Sequence, residues 1–285
     1  MFTQCFNEKR IKVEIKTAII DLYNGEENQG MRCIKDILEE TNEKKSDINL
    51  TYDIFESRNK NEVPSSDYDI YISSGGPGDP FDGEGTKWEK KYFNLMDKIW
   101  SHNQNNKSKK KYVIFICHSF QIMARYFKLG EVIPRNSRSF GILPVHKTEI
   151  GRLDNILHGL PDIFYGADFR SYQVISPDKN VFRELGAKLI AIEKLRPHIE
   201  LERAMMAIRV SNEFIGTQFH PEADIVSMRH HFGQAERQKQ VVDEYGEKKL
   251  AEMLEHLENP DNIILTRNTV IPNFLNIAIE ELKVK

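Results

Sequence analysis

Four apolar runs, separated by stretches of helical spacing, constrain what this chain can fold into. The clearest is "KYVIFIC", Lys111 to Cys117, which is apolar at successive positions rather than alternate ones. A strand with one wet face alternates, whereas a strand buried on both faces does not. "KTAIIDL" from Lys16 reads as another buried strand, "INLTYDIFE" from Ile48 as a second, and "YDIYISS" from Tyr68 as a third. Between them, apolar residues recur at helical spacing over Met31 to Leu38 and Trp88 to Trp100. "SFQIMARYFKLG" follows the cysteine as a further helix, with Gly130 as its expected C-cap. Buried strands alternating with helices predict a parallel sheet covered on both faces. In such sheets functional groups gather just beyond the carboxyl ends of the strands.

The middle of the chain is less regular. "FGILPVHKTE" from Phe140, "KLIAIEKL" and "AMMAIRV" read as antiparallel additions to the sheet, and the Met205–Met206 pair as core filler. From Asp224 onward the pattern is helical and highly charged. "VVDEYGEKKLAEMLEHLENP" and "IPNFLNIAIEELKVK" read as two amphipathic helices. The expectation is a domain over residues 1–223, with a helical extension over 224–285 packed on it.

The totals exclude several classes. In 285 residues, 40 Lys+Arg against 43 Asp+Glu leave a net charge of -3, with both signs mixed, so no basic field points to nucleic acid. The cluster "NKSKKK", Asn106 to Lys111, reads as a solvated loop. Cys5, Cys33 and Cys117 are odd in number and show no CxxC pair, which argues against a disulfide framework or a zinc site. "RHH", Arg229 to His231, places two imidazoles at adjacent positions that diverge on a helix, a poor metal site. No apolar stretch approaches the roughly 20 residues that span a bilayer. The N-terminus is too polar to read as a secretory signal, and a reducing cytosol fits the whole.

Three loops stand out at the expected strand ends. "SSGGPGDP", Ser73 to Pro80, has glycines at 75, 76 and 78 that permit positive φ and close backbone approach. Such a loop can aim N–H groups at an oxyanion. It differs from the SGGxDS phosphate loop, because Asp79 comes one place late and Pro80 follows. "CHSFQ", from Cys117, sits where a strand meets a helix, the position of a nucleophile elbow. A thiol beside a helix N-terminus and a histidine is readily activated. "QFHPE", Gln218 to Glu222, places a histidine and a carboxylate two residues apart, able to serve as base and orienter.

In this order the three loops resemble the signatures of the class I glutamine amidotransferases, over about Lys16 to Glu222. The stand-alone members similar to the amidotransferase domain of GMP synthase resemble it most. The resemblance implies an α/β flavodoxin-like three-layer sandwich with a mostly parallel central sheet, plus the helical C-terminal extension. It implies Cys117 as the nucleophile that forms a γ-glutamyl thioester, His220 as base and then acid, and Glu222 as the group that orients His220. It implies an oxyanion hole from the backbone N–H groups of Gly76 and His118. Gly75, Gly78, Gln121, Ser171 and Tyr172 would bind substrate, the last two from "DFRSYQV", Asp168 to Val174, expected as a loop. Only the backbone of His118 enters this scheme, with its side chain expected toward solvent. No cofactor and no metal are implied. The implied partners are glutamine or a γ-glutamyl compound, and a synthetase subunit that accepts the ammonia.

The chain departs from the family elbow G-x-C-x-G-x-Q at two places. Phe115 replaces the first glycine and Ser119 the second. A Cβ at 119 would be strained at positive φ, and the Phe115 ring is expected either to accompany a shifted loop or to narrow the pocket. Three readings follow. One is a glutaminase-type amidotransferase. The second is a hydrolase of γ-glutamyl peptides or conjugates. The third, motivated by Phe115 and Ser119, is a binding or regulatory module of the same fold.

Overall fold

The computed structural model describes residues 12–196, 200–248, 250–251, 254 and 261–284. Cys5 and most of the segment after Lys248 in the first expected C-terminal helix lie outside them.

Strands form where the apolar runs place them. They are β1 (Val13–Asp21), β2 (Ile48–Glu56), β3 (Ile70–Ser73) and β4 (Tyr112–Ile116). β2, at the edge of the sheet, buries only Ile48 and Leu50 and is not covered on both faces. β9 (Phe214–Thr217) joins them from a hundred residues downstream. The order β2-β1-β3-β4-β9 is parallel throughout, as residue pairs such as Ile72–Ile114 and Ile116–Thr217 show. The same nine-stranded sheet continues with β8 (Met205–Arg209), β7 (Lys188–Glu193), β5 (Glu131–Lys147) and β6 (Ile163–Ile175), all antiparallel.

Alternate residues of the parallel strands feed two different cores, which is why the runs are apolar on both faces. Ile15, Ile19, Ile72 and Ile114 pack with α1 (Gln29–Lys44) and the C-terminal helix Val270–Lys283. Ala18, Ile20, Tyr71, Val113 and Phe115 pack on the other side with α3 (Lys87–Asn105) and α4 (His118–Phe127). Three short helices, α2 (Ser57–Lys60), α5 (Glu149–Arg152) and α6 (Lys179–Leu185), connect successive strands. This is the α/β flavodoxin-like three-layer sandwich. Among the described residues no helix is long and apolar enough to cross a membrane.

Three expectations need correction. The segment "DFRSYQV" is strand, not loop, and lies in β6. Its polar residues are buried in an ion network. Arg170 donates from Nε to Asp168 at 2.9 and 3.0 Å and reaches Glu193 at 3.3 Å, Arg135 meets Glu193 at 3.0 Å, and Ser139 donates to Asp168 at 2.7 Å. α4 is closed not by Gly130 but by Lys128, in the left-handed region, whose N–H reaches the Ala124 and Arg125 carbonyls. Gly130 instead runs so close to the Ile175 carbonyl that a Cβ has no room. The first C-terminal helix begins earlier than expected. The stretch from Asp224 opens with α7 (Ile225–Gly233) and continues as α8 (Ala235–Tyr245), which ends where Gly246 takes φ 83°.

Candidate active site

The carboxyl ends of β1, β3, β4 and β9 are neighbours in the sheet, and each delivers one part of the site. Cys117 follows β4 directly. Its backbone takes φ 50° and ψ -99°, a sparsely populated conformation for a residue with a Cβ. The turn is held from several directions. The Cys117 N–H donates to the Thr217 carbonyl at 2.8 Å, and its carbonyl accepts from Gln121 at 3.1 Å. Ser119 adds more. Its Oγ accepts from the Ile116 N–H at 2.7 Å and lies 2.8 Å from the Ser73 carbonyl. Ser119 is helical, so the strain expected of a Cβ there does not arise. A glycine could not make this bridge between the elbow and β3. Ser119→Ala is expected to cost about 1–3 kcal/mol, because a buried N–H is left unpaired. Thermal or denaturant unfolding measures it, and an unchanged midpoint would refute the bridge.

Phe115 does not line the pocket. Its ring is fully buried on the α3/α4 side of the sheet, with its centroid 6.1 Å from that of Phe214. Phe115 and Ile116 point to opposite faces, as strand geometry requires, so the ring narrows nothing around the thiol.

The glycine loop after β3 approaches β1 closely. A Cβ on Gly76 would run into the Leu22 carbonyl, and one on Gly75 would lie 2.6 Å from His220 Cε1. Of the three glycines only Gly78 takes a positive φ, 92°. Arg58 holds the loop by donating to the Leu22 carbonyl at 3.2 Å and the Pro77 carbonyl at 2.5 Å.

His220 follows β9, and its N–H donates to the Ala167 carbonyl of β6 at 2.8 Å. Its Nδ1 lies 2.7 Å from Glu222 Oε1, and Glu222 is almost fully buried, with Oε2 lacking any partner. Burial works against a proton on His220, but the charges of Glu222 and Cys117 and their hydrogen bonds outweigh it and raise its pKa well above the ordinary histidine value. α7 anchors the end of this loop. Asp224 caps it through Ser227 and receives Arg32 of α1 at 2.9 and 3.0 Å.

His118 is buried rather than turned to solvent. Burial, followed by the field of Arg58, pushes its pKa down to about 3, so it stays a neutral imidazole.

Two cavities meet here. One of about 270 Å³ is lined by Gly76, Gly78, Cys117, His118, Gln121, Ser171 and Tyr172, all singled out in the sequence. Arg138, Val241 and Tyr245 also line it, and the Tyr245 hydroxyl donates to the Arg138 carbonyl at 2.6 Å. α8 therefore forms part of the wall. The Tyr172 hydroxyl is taken by Asp79, which pushes its pKa up to about 12, while the Tyr172 carbonyl accepts from Gln121 at 3.3 Å. The other cavity, about 350 Å³, lies against His220 and Glu222 and shares Gly76, Pro77 and Phe169 with the first.

Two polar residues at the site were missed. Gln218 is fully buried, with Nε2 3.8 Å from the Cys117 sulfur and Oε1 accepting from Gln121 at 3.2 Å. It lies two residues before His220, the interval that returns a strand to one face. Tyr23, two residues beyond β1, lines the second cavity. The rule about carboxyl strand ends applied to β1 as well and would have flagged it.

The model of the family "Glutamine amidotransferase class-I" matches residues 31–237. The chain belongs to the class I glutamine amidotransferases. Among solved structures it is similar to a glutamine amidotransferase from Thermotoga maritima, at 18% identity and TM-score 0.65, covering 93% of this chain and 98% of that one. A putative GMP synthase subunit from Thermoplasma acidophilum is 16% identical, with TM-score 0.57 and coverage of 95% and 96%. The glutaminase domain of Trypanosoma brucei CTPS, solved with bound acivicin, is 12% identical, with TM-score 0.58 and coverage of 93% and 94%. At these identities the likeness is one of fold. No curated protein matches the chain.

Proposed function

We propose that this protein hydrolyses the side-chain amide of glutamine through Cys117, His220 and Glu222. The observation that carries the reading is the elbow at Cys117. A strained backbone with φ 50° is held beside a His220–Glu222 pair that is distant in sequence. Strain of this kind persists only where the surroundings over-determine it, and it clusters at functional sites. The Cys117 sulfur attacks the γ-carbonyl, and the thiol proton passes through His220 to the leaving nitrogen. The carbon–nitrogen bond breaks as the thioester forms, and water then releases glutamate and restores the thiol. Glu222 holds the imidazole through Nδ1, leaving Nε2 for the proton transfers. Gly76 and His118 supply the N–H groups for the oxyanion. Gln121, Ser171, Tyr172 and the glycine loop form the amino-acid end in the first cavity.

The ammonia is passed to a synthetase subunit or released, and the protein works in the cytosol without a cofactor. The reading as a binding module loses its motive, since Phe115 stays out of the pocket and Ser119 fastens the elbow. Ammonium release from glutamine, with covalent labelling by an electrophilic glutamine analogue, tests the proposal. Cys117→Ala is expected to abolish both. Equal rates in the variant and the wild type would sink it.

A further inference from the structure

The cavity beside His220 is far larger than its product requires. Ammonia is close in size to water, whose share of liquid volume is about 30 Å³. The cavity measures about 350 Å³, within the size range of small-molecule sites. Its position is also informative. The general acid must stand next to the group it protonates as that group leaves. His220 and Glu222 line this cavity, Cys117 lines the one holding Gln121, Ser171 and Tyr172, and Gly76, Pro77 and Phe169 border both, so a group that departs from the thiol past His220 enters the second cavity.

The two cavities differ in charge. Among the described residues no carboxylate lines the first, and Arg138 opens onto it. Glu26, Glu27 and Glu222 line the second, and no lysine or arginine does; Glu222 is matched by the His220 imidazolium, which leaves the exposed pair Glu26 and Glu27 as its unmatched charge. Glu26 and Glu27 make no ion pair among the described residues. Arg58, whose field overlaps that of Glu26, is engaged by the Leu22 and Pro77 carbonyls and lies outside the wall. The N-terminus of α1 also borders this cavity and favours anions, at about half a charge. Asn28 already accepts from the Gly30 N–H at 2.6 Å there, and two full carboxylates outweigh the remainder.

One buried polar atom without a partner marks the same wall, Glu222 Oε2. Tyr23, 6% exposed, lines it too. A Cβ on Gly30 would meet the Tyr23 hydroxyl at 2.5 Å and Glu222 Oε1 at 3.2 Å, which places the phenol beside the carboxylate. Groups so buried are normally paired, and an occupant that brings N–H donors would satisfy Oε2. Phe169 supplies an aromatic face, and such faces attract ammonium groups.

We infer that the same site also accepts, beside glutamine, a γ-glutamyl amide whose leaving amine carries a second, cationic amino group, seated between Tyr23, Phe169 and the Glu26–Glu27 segment. This inference rests on the thiol chemistry proposed above and names the leaving group of that same reaction. The bonds made and broken are unchanged: the C–N bond to the amine breaks, the C–S bond forms, and the thiol proton reaches the departing amine through His220.

The experiment compares hydrolysis of L-glutamine, the γ-glutamyl amide of 1,4-diaminobutane and the γ-glutamyl amide of pentylamine. The last two have nearly the same length and differ in the terminal charge. The kcat/KM for the diamine amide is expected to exceed that for the pentyl amide by about five- to tenfold, and the ratio is expected to fall toward one in Glu26→Gln/Glu27→Gln. Equal rates for the two amides, an unchanged ratio in the double variant, or hydrolysis of glutamine with neither amide accepted would overturn the inference. The last of these outcomes leaves the glutaminase reading standing and makes the cavity an ammonia vestibule. Should Cys117 prove unreactive toward all three, the glutaminase reading fails by itself. Calorimetric binding of 1,4-diaminobutane against butylamine, to wild type and the double variant, then decides the cavity. Preference for the diamine that the double variant loses supports it, and the absence of preference overturns it.

Discussion

Alanine at His220 is expected to lower ammonium release from glutamine by about 10²–10⁴-fold, the usual range for a positioned acid or base. The loss is expected in kcat, with KM changing little. His220 does not line the cavity proposed for the amino-acid end, so the ground-state complex is expected to keep its contacts. The raised pKa of His220 fits the acid role. Glu222, 2.7 Å away and out of solvent, favours the imidazolium from which the leaving nitrogen takes its proton. Steady-state kinetics across a range of glutamine concentrations separates the two constants. A variant close to wild type in kcat would remove His220 from the reaction, and a variant changed only in KM would make it a binding group.

Gly76→Ala is the second large effect expected. The new β-carbon meets the Leu22 carbonyl, and that carbonyl cannot withdraw easily because Leu22, just beyond β1, is fully buried, donates its N–H to Ser74 and accepts from Arg58. The loop must move instead, carrying with it the N–H proposed for the oxyanion. Loss of one such donor costs about 10²–10³ in rate. The variant is expected to fold, since Gly76 itself lies in a partly exposed loop that can shift at the sheet's rim, although its neighbour Leu22 belongs to the core. Circular dichroism establishes the fold, and the ammonium assay then reads the displaced donor. A folded variant with full activity would show that the Gly76 N–H is not part of the oxyanion site.

The parallel half of the sheet could be read from the sequence because burial on both faces leaves a simple trace, an unbroken apolar run such as Tyr112–Ile116. The antiparallel half left a weaker one. In β6 the buried positions include Asp168 and Arg170, whose charges are matched to each other and to Glu193, so burial there does not look apolar. Strand and loop are hard to tell apart when a buried ion network replaces hydrocarbon. That Cys117, His220, Glu222 and the glycine loop come together was legible for a related reason. A cysteine, a histidine–carboxylate pair and a run of glycines have chemical identities that stand out, and they fall at strand ends. Phe115 was misjudged because its nearness to Cys117 in sequence says nothing about which face it occupies. The contribution of α8 was also out of reach. An amphipathic pattern shows that Val241 must be buried, but not that the cavity beside Cys117 lies beneath it.

The placement of β9 has a consequence for the time course of folding. The elbow's own amide finds its acceptor at Thr217, one hundred positions later, and the imidazole comes three residues after that. Contacts at such sequence separation form slowly, because a long loop must close before they give any return. During synthesis β1, β3 and β4 emerge first and can pair, while Cys117 is still an ordinary thiol at the end of an unfinished sheet. The elbow is therefore completed late, as β9 slots in beside β4, and in a nascent or partly unfolded chain the thiol and the imidazole are not yet neighbours.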